Sequence, residues 1–261
     1  MEKLGYGVSR LSIVPVRSKP QDSAELVSQL LFGEHYVIQE KTEDNKWIRI
    51  VNAFDSYEGW IDIKQHHEIS EAYFQQINDS EYKICIEIIA KILFDNKVNY
   101  ITAGSILPFL SNPIFKEEEH IAFNGVSKSL YQKSESQALI TLAKKYLNTP
   151  YLWGGRTPFG IDCSGFTQVV FRMSGYDLFR DSSQQIKQGE EVELAEAREG
   201  DLAFFTNAKG KMNHVGILLS SEEIIHASGK VRIDTLDQKG IYNSDTNTYT
   251  HDLFKIKRIL K

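Results

Sequence analysis

The 261-residue chain is 41% apolar and 25% charged, a composition of soluble globular proteins rather than of disordered or fibrous ones. Its length predicts two or three modest domains, each able to bury a core. With 35 acids against 30 bases the net charge is −5, which offers no field for a polyanion and sets nucleic acid aside as a partner. Cys85 and Cys163 are the only cysteines, too few for a disulfide framework and without metal-knuckle spacing, so a reducing compartment fits. The opening "MEKLGYGVSRLSIVPVRS" lacks the basic, apolar and small-residue regions of a secretion signal. If this is the native start, a cytoplasmic protein is expected; removal of an upstream signal would make it exported. The longest apolar stretch, Ile84 to Phe94, is interrupted by Glu87 and Lys91 and is too short to span a bilayer. Nothing in the pattern specifies an oligomeric state.

Residues 8 to 66 carry short β-type runs between turn signals: "VSRLSIVPVRS", "HYVIQEKTED", "WIRIVN" and "GWIDI". Val16-Arg17, Gly33-Glu34, Trp47 to Ile50 and Gly59-Trp60-Ile61 resemble the strand and turn marks of bacterial SH3-like barrels, so residues 1–66 are expected to form one. Residues 67–132 again show strand-like runs, "KVNYITAGSILPFLSN" and "EEEHIAFNGVSKSL", read as a second SH3-like domain. From 133 the period changes. Ala138, Leu139, Leu142, Ala143, Tyr146 and Leu147 recur at helical spacing after the candidate caps Ser134 and Ser136, and Asn148-Thr149-Pro150 ends the helix. Strand patterns return at "DLAFF", "HVGILLS", "EIIHAS" and "FKIKRIL". The fold class is therefore α+β, with a last domain at 133–261 of one or two helices on an antiparallel sheet.

Asp162 is a good N-cap, and Phe166, Val169, Val170 and Met173 make a helical stripe behind it, which puts Cys163 in the first turn of a helix. Unpaired amides there are expected to lower the thiol pKa. The competing reading is a buried structural cysteine, the reading given to Cys85. What favours a nucleophile at Cys163 is a base. A hairpin centred near Ser220 places His214 directly opposite His226, with Cβ atoms roughly 5 Å apart, so that one imidazole can orient the other. Cys163, His214 and His226 then form a nucleophile, base and orienter set. His35, His66, His67, His120 and His251 lack such a setting and read as surface or loop residues. A zinc site from the same three residues would need a fourth ligand and a short-spaced pair, so no metal or cofactor is expected.

The motifs "YLWGGRTPFGIDCSGF", "REGDLAFF", "NHVGILLS" and "IIHAS", in this order over about residues 134 to 261, resemble the NlpC-type bacterial cell-wall cysteine peptidases. The resemblance implies a papain-like core, with Cys163 as nucleophile, His214 as base and His226 as third member. Cysteine before histidine disfavours the circularly permuted acyltransferase relatives. Members with N-terminal SH3-like domains are often γ-D-glutamyl-L-diamino acid endopeptidases, which cut murein stem peptides bearing a free N-terminal L-alanine. By that resemblance the substrate-facing positions are Tyr151, Trp153, Asp162, Ser164, Asp181 and Ser182, with Tyr57 and Glu34 lent by the first barrel. Other readings stand beside these. Asp162 caps a helix in either case, Tyr151 and Trp153 suit packing, and Asp181 and Ser182 suit the cap of "SSQQIKQG". An ammonium in a partly closed pocket needs carboxylate or oxygen acceptors, which Asp162, Tyr57 and Glu34 could supply. The expected partner is thus a murein peptide, and the expected role is murein peptide recycling. The rivals are a non-catalytic murein-binding protein and a D,L-endopeptidase or amidase acting on intact wall.

Overall fold

The computed structural model describes residues 3–94, 97–107, 121–207 and 210–260. The chain divides into two compact units, one of residues 1–132 with 154–157 and one of residues 133–153 with 158–261. No described helix is long and apolar enough to cross a membrane.

The first unit begins with β1 (Gly5–Val8), β2 (Ile13–Arg17), β3 (Leu26–Leu31), β4 (His35–Lys41), β5 (Trp47–Asn52), β6 (Glu58–Asp62) and β7 (His67–Ile69). They form one antiparallel sheet in the order β3-β2-β6-β5-β4-β1-β7. Alternation is clear in β2 and β5, whose Val14, Val16, Ile48 and Ile50 point inward and meet Leu30, Tyr36, Ile38 and Ile61 in a core. The run "VSRLSIVPVRS" is two strands, since Ser9–Ser12 turns between β1 and β2.

The unit continues with α1 (Glu71–Asp79), then β8 (Lys83–Cys85), β9 (Ile89–Phe94), β10 (Lys97–Thr102), β11 (Ile106–Leu107), β12 (Ile121–Phe123) and β13 (Ser127–Ser129), in two three-stranded sheets. Within the described residues the strands expected here are present, while Pro108 to Asn112 of the first run and Glu117 to His120 of the second lie outside them. Helix α1 was not expected. Ser70 caps it by accepting from the Tyr73 N–H (3.1 Å), and Tyr73, Phe74 and Ile77 are its buried face. Those residues share a core with Tyr6 and Val8 of the first sheet, with Phe32 of the turn after β3 and with Cys85, so packing is continuous across positions 66 and 67.

The short pieces β14 (Arg156–Thr157) and β15 (Gly160–Ile161) belong to the first and second unit respectively. The second unit opens with α2 (Ser136–Lys144), whose buried face is Leu139, Ile140, Leu142 and Ala143, followed by buried Tyr146. Its N-cap is Glu135 rather than either serine; Ser136 is the first helical residue, and its hydroxyl is donated to Glu199 Oε1 (2.6 Å). Helix α3 (Cys163–Met173) is buried along its whole length, beyond the expected stripe. Within it the Thr167 hydroxyl donates to Gln185 Oε1 (2.8 Å) and the Gln168 amide to the Leu178 carbonyl (3.1 Å). A single turn, α4 (Ser182–Gln185), follows.

The remaining strands are β16 (Glu190–Val192), β17 (Leu202–Thr206), β18 (Met212–Leu218), β19 (Glu223–Ser228), β20 (Lys230–Leu236), β21 (Gly240–Asn243) and β22 (Thr248–Arg258). The eleven-residue β22 pairs with β21 through its first half and with β17 through its second, so β17 to β22 close on themselves. Closure packs Ala203, Phe205, Leu218, Ile224, Leu236, Ile241 and Ile256 together. Helix α3 lies against β18 and β19, which brings the first turn of the helix to the histidine-bearing strands.

Candidate active site

Cys163 occupies the first position of α3. The Asp162 carboxylate caps the helix by accepting from the Gly165 N–H (2.7 Å). Asp162 is itself clamped, because Arg180 donates to its two oxygens at 3.0 and 2.6 Å, and both side chains are buried. The same guanidinium donates to the Ser164 hydroxyl (3.0 Å), so the residues on either side of the cysteine share one cation. Arg180 was missed in the sequence although it opens "RDSSQQ"; a buried arginine next to a turn is legible only once its acid is known.

Burial, then the charge of Asp162, pushes the Cys163 thiol up to about 12, against the opposing pull of the Val215 N–H, Arg180 and the Ser164 N–H. The expected depressed thiol is therefore corrected. Helix amides act in the expected direction, but Cys163 is only 6% exposed and desolvation of the thiolate outweighs them. The influence of the Val215 N–H also locates the sulfur beside β18, next to the residue that follows His214.

His214 and His226 are bonded, Nε2 to Nδ1 at 2.7 Å, and both are buried. Their expected register is corrected: His226 faces Gly216, not His214, so the histidines are diagonal neighbours. The glycine explains why they still meet. A Cβ at 216 would come within 2.8 Å of the His226 Cβ, so only a bare backbone leaves the imidazole room to lean across to the next inward position. Two residues outside the expected set complete the cluster. His226 Nε2 lies 2.9 Å from Asp234 Oδ2, and the His251 ring stacks on His214 at 4.1 Å between centroids and 25° between planes.

His251 was read as a surface residue; closure of the sheet by β22 carries it onto His214 instead. His35, buried and within 2.7 Å of Asn78 Oδ1, and His66, 2.9 Å from the Tyr36 hydroxyl, also have structural partners. Burial and the neighbouring His226 and His251 hold His214 well below its ordinary value, and burial pushes His251 down to about 4. Burial pushes the Asp234 carboxyl up, but bonds from His226 and Arg232 outweigh it and hold it low. The resting pair is thus a neutral thiol and a neutral imidazole. Both nitrogens of His226 are engaged, and no described cluster of three or more His, Cys, Asp or Glu side chains suits a metal.

The Tyr151 N–H bonds the Gly229 carbonyl (2.9 Å) at the head of β20, and its phenol is pushed up by burial and then by the charges of Cys163 and Asp162. That keeps an O–H donor near the sulfur. Trp153 is 59% exposed. Asp181 caps α4, with the Gln184 side chain accepting from its backbone N–H (3.2 Å), and Ser182 is the first residue of that turn. Glu34 and Tyr57 belong to the first unit. Tyr57 is half-buried beside the β5–β6 turn, its N–H held by Asp55 (3.0 Å). Glu34 is fully buried, its two oxygens accepting from Arg156 Nη1 and Nη2 at 2.9 Å each, with Gln29 accepting from the Arg156 backbone. Glu34 and Asp162, the acids expected to receive an ammonium, are thus each bound to a buried arginine.

Residues 148–250 match the NlpC/P60 family, and residues 16–65 match the bacterial dipeptidyl-peptidase SH3 domain. The chain is 28% identical over 219 residues to a gamma-D-glutamyl-L-lysine dipeptidyl-peptidase of Bacillus subtilis, covering 77% of this chain and 71% of that one. It is 26% identical over 260 residues to dipeptidyl-peptidase 6 of Lysinibacillus sphaericus, covering 88% and 92%. The crystal structure of an NlpC/P60 family protein from Bacillus cereus shares the fold, with a TM-score of 0.79 at 20% identity over 98% of this chain and 100% of that one. The chain therefore carries an NlpC/P60 domain together with a bacterial dipeptidyl-peptidase SH3 domain, and is a peptidase of the NlpC/P60 kind.

Proposed function

We propose that this peptidase cleaves the γ-D-glutamyl-L-diamino acid bond of murein peptides with a free N-terminal L-alanine, releasing L-Ala-γ-D-Glu, with Cys163 as nucleophile and His214 as base. One observation carries the assignment of roles: His214 commits Nε2 to His226, which leaves Nδ1 for the thiol of a cysteine lodged beside the same strand. The dipeptidyl-peptidase activities for which the Bacillus and Lysinibacillus relatives are named support the dipeptide-releasing reading.

In this reading the thiol proton passes to His214 Nδ1 as sulfur attacks the γ-glutamyl carbonyl. The raised thiol pKa makes the transfer part of the attack rather than a step before it. The developing oxyanion would be met by the Cys163 N–H and the Tyr151 hydroxyl, which burial keeps protonated. His214 then protonates the departing amine, and water, activated by the same nitrogen, releases the dipeptide from sulfur.

A second reading is favoured by the paired acids. An ammonium meeting Asp162 meets an Asp162–Arg180 pair rather than an open carboxylate, which suits an endopeptidase indifferent to a free amine. One experiment tests both. Free and N-acetylated L-Ala-γ-D-Glu-L-Lys, the diaminopimelate analogue and intact murein are incubated with the protein, and products are weighed by mass spectrometry. Cleavage of the free peptide at least about 100-fold faster than the acetylated one supports the first reading. Equal rates support the second. Turnover of any of them by Cys163→Ala removes the nucleophile assignment.

A further inference from the structure

Hydrogen-bond direction in the histidine cluster can be worked inward from its far end. Asp234 Oδ2 lies 2.9 Å from His226 Nε2, and Arg232 donates to Asp234 through Nη2 onto Oδ1 at 2.7 Å, with Nε 2.7 Å from Oδ2. Arg232 is held in turn by Asp245 (2.9 Å) and Asn243 (3.1 Å), so the carboxylate is fixed in place and held in its ionised form. An ionised carboxylate only accepts, so His226 must carry its proton on Nε2. The Nδ1 of a neutral His226 is then an acceptor. With His226 in that neutral form, the 2.7 Å bond is donated by His214 Nε2, and the lone pair of His214 sits on Nδ1.

We propose that Asp234 is a positioning residue that sets the ring tautomer of His214 through His226, so that the Nδ1 lone pair is the base in every resting molecule. This rests on the reading that His214 Nδ1 takes the Cys163 proton. When it does, His214 bears a proton on each nitrogen, and the cation is stabilised along the bond to His226 and by the Asp234 charge behind it. Without Asp234, His226 is free to carry its proton on Nδ1 and donate to His214 Nε2. That arrangement puts the His214 proton on Nδ1 and removes the base. His251, stacked on the ring face, offers no acceptor to either Nε2 in this chain; its own Nδ1 is within 2.9 Å of the Thr250 hydroxyl.

The test reads ring nitrogens directly, by long-range proton–nitrogen NMR of the full chain labelled at histidine, at pH 7.5. The expected spectrum has His214 and His226 each protonated at Nε2 and bare at Nδ1. A His214 proton on Nδ1 in the unmodified protein overturns the proposal whatever the enzyme's substrate, and remains decisive should the variant fail to fold. In Asp234→Leu, the His214 signal is expected to move toward the Nδ1-protonated form, with kcat on the free tripeptide falling about 100-fold or more at unchanged KM. An unchanged His214 signal, with or without a fall in kcat, overturns it, since a purely structural role would lower activity without moving the tautomer. If no murein peptide is turned over while the wild-type spectrum is as expected, the functional reading fails and the tautomer assignment stands.

Discussion

Replacing Glu34 by Gln would remove the charge facing Arg156 while keeping the shape of the side chain. Both groups have zero exposed side-chain area, and the guanidinium meets the carboxylate through two 2.9 Å bonds, with the Leu31 N–H adding a third at 3.0 Å. Removing one partner of such a pair leaves a buried uncompensated charge, at about 3–5 kcal/mol. For a domain stable by about 5–15 kcal/mol that is a large fraction of the total. With a urea dependence of about 2 kcal/mol per molar, the midpoint of the first unit's unfolding should fall by about 2 M. Trp47 and Trp60, both half-buried in β5 and β6, report that transition by fluorescence. The double variant Glu34→Leu/Arg156→Met, which removes both charges, should recover most of the loss, because an apolar pair needs no desolvation of ions. A Glu34→Gln midpoint within about 0.5 M of wild type would refute the reasoning, since the pair would then contribute no more than an exposed one.

Further outcomes follow from the second unit. Gly216→Ala should lower kcat sharply with little change in KM, because the new Cβ must displace His226 from its place beside His214; peptide kinetics and a melting curve separate that from unfolding. In a Cys85→Ser background, iodoacetamide should modify Cys163 slowly at pH 7 and ever faster toward pH 10, and a rate plateau below pH 7 would contradict a raised thiol pKa. Burial depresses His214 and His251, so the fold favours their neutral forms. Their contribution to stability is full above about pH 6.5 and lost as pH falls toward 4, which thermal melts across that window should record, with a shallower slope in His251→Gln. His251→Phe keeps a stacked ring but removes a neighbour that becomes positive in acid, so the acid limb of the pH–rate profile should move toward neutrality.

Local chemistry made much of this protein legible from sequence. Alternating Val14-x-Val16 and Ile48-x-Ile50, the Asp162 cap before Cys163 and the helical face of Leu139, Leu142 and Ala143 are short-range patterns, and each gave the element found. The helix at 71–79 was readable too, since Ser70 and the Tyr73, Phe74 and Ile77 spacing mark it, but strand signals on either side hid it. Tertiary structure alone decided the rest. It closed β22 onto β21 and so stacked His251 on His214, bound Asp162 to Arg180 and Glu34 to Arg156, and set Asp234 behind His226. It also overruled the helix amides at Cys163. Dielectric surroundings and the partners of a charge come from residues far apart in the chain, and no local spacing encodes them.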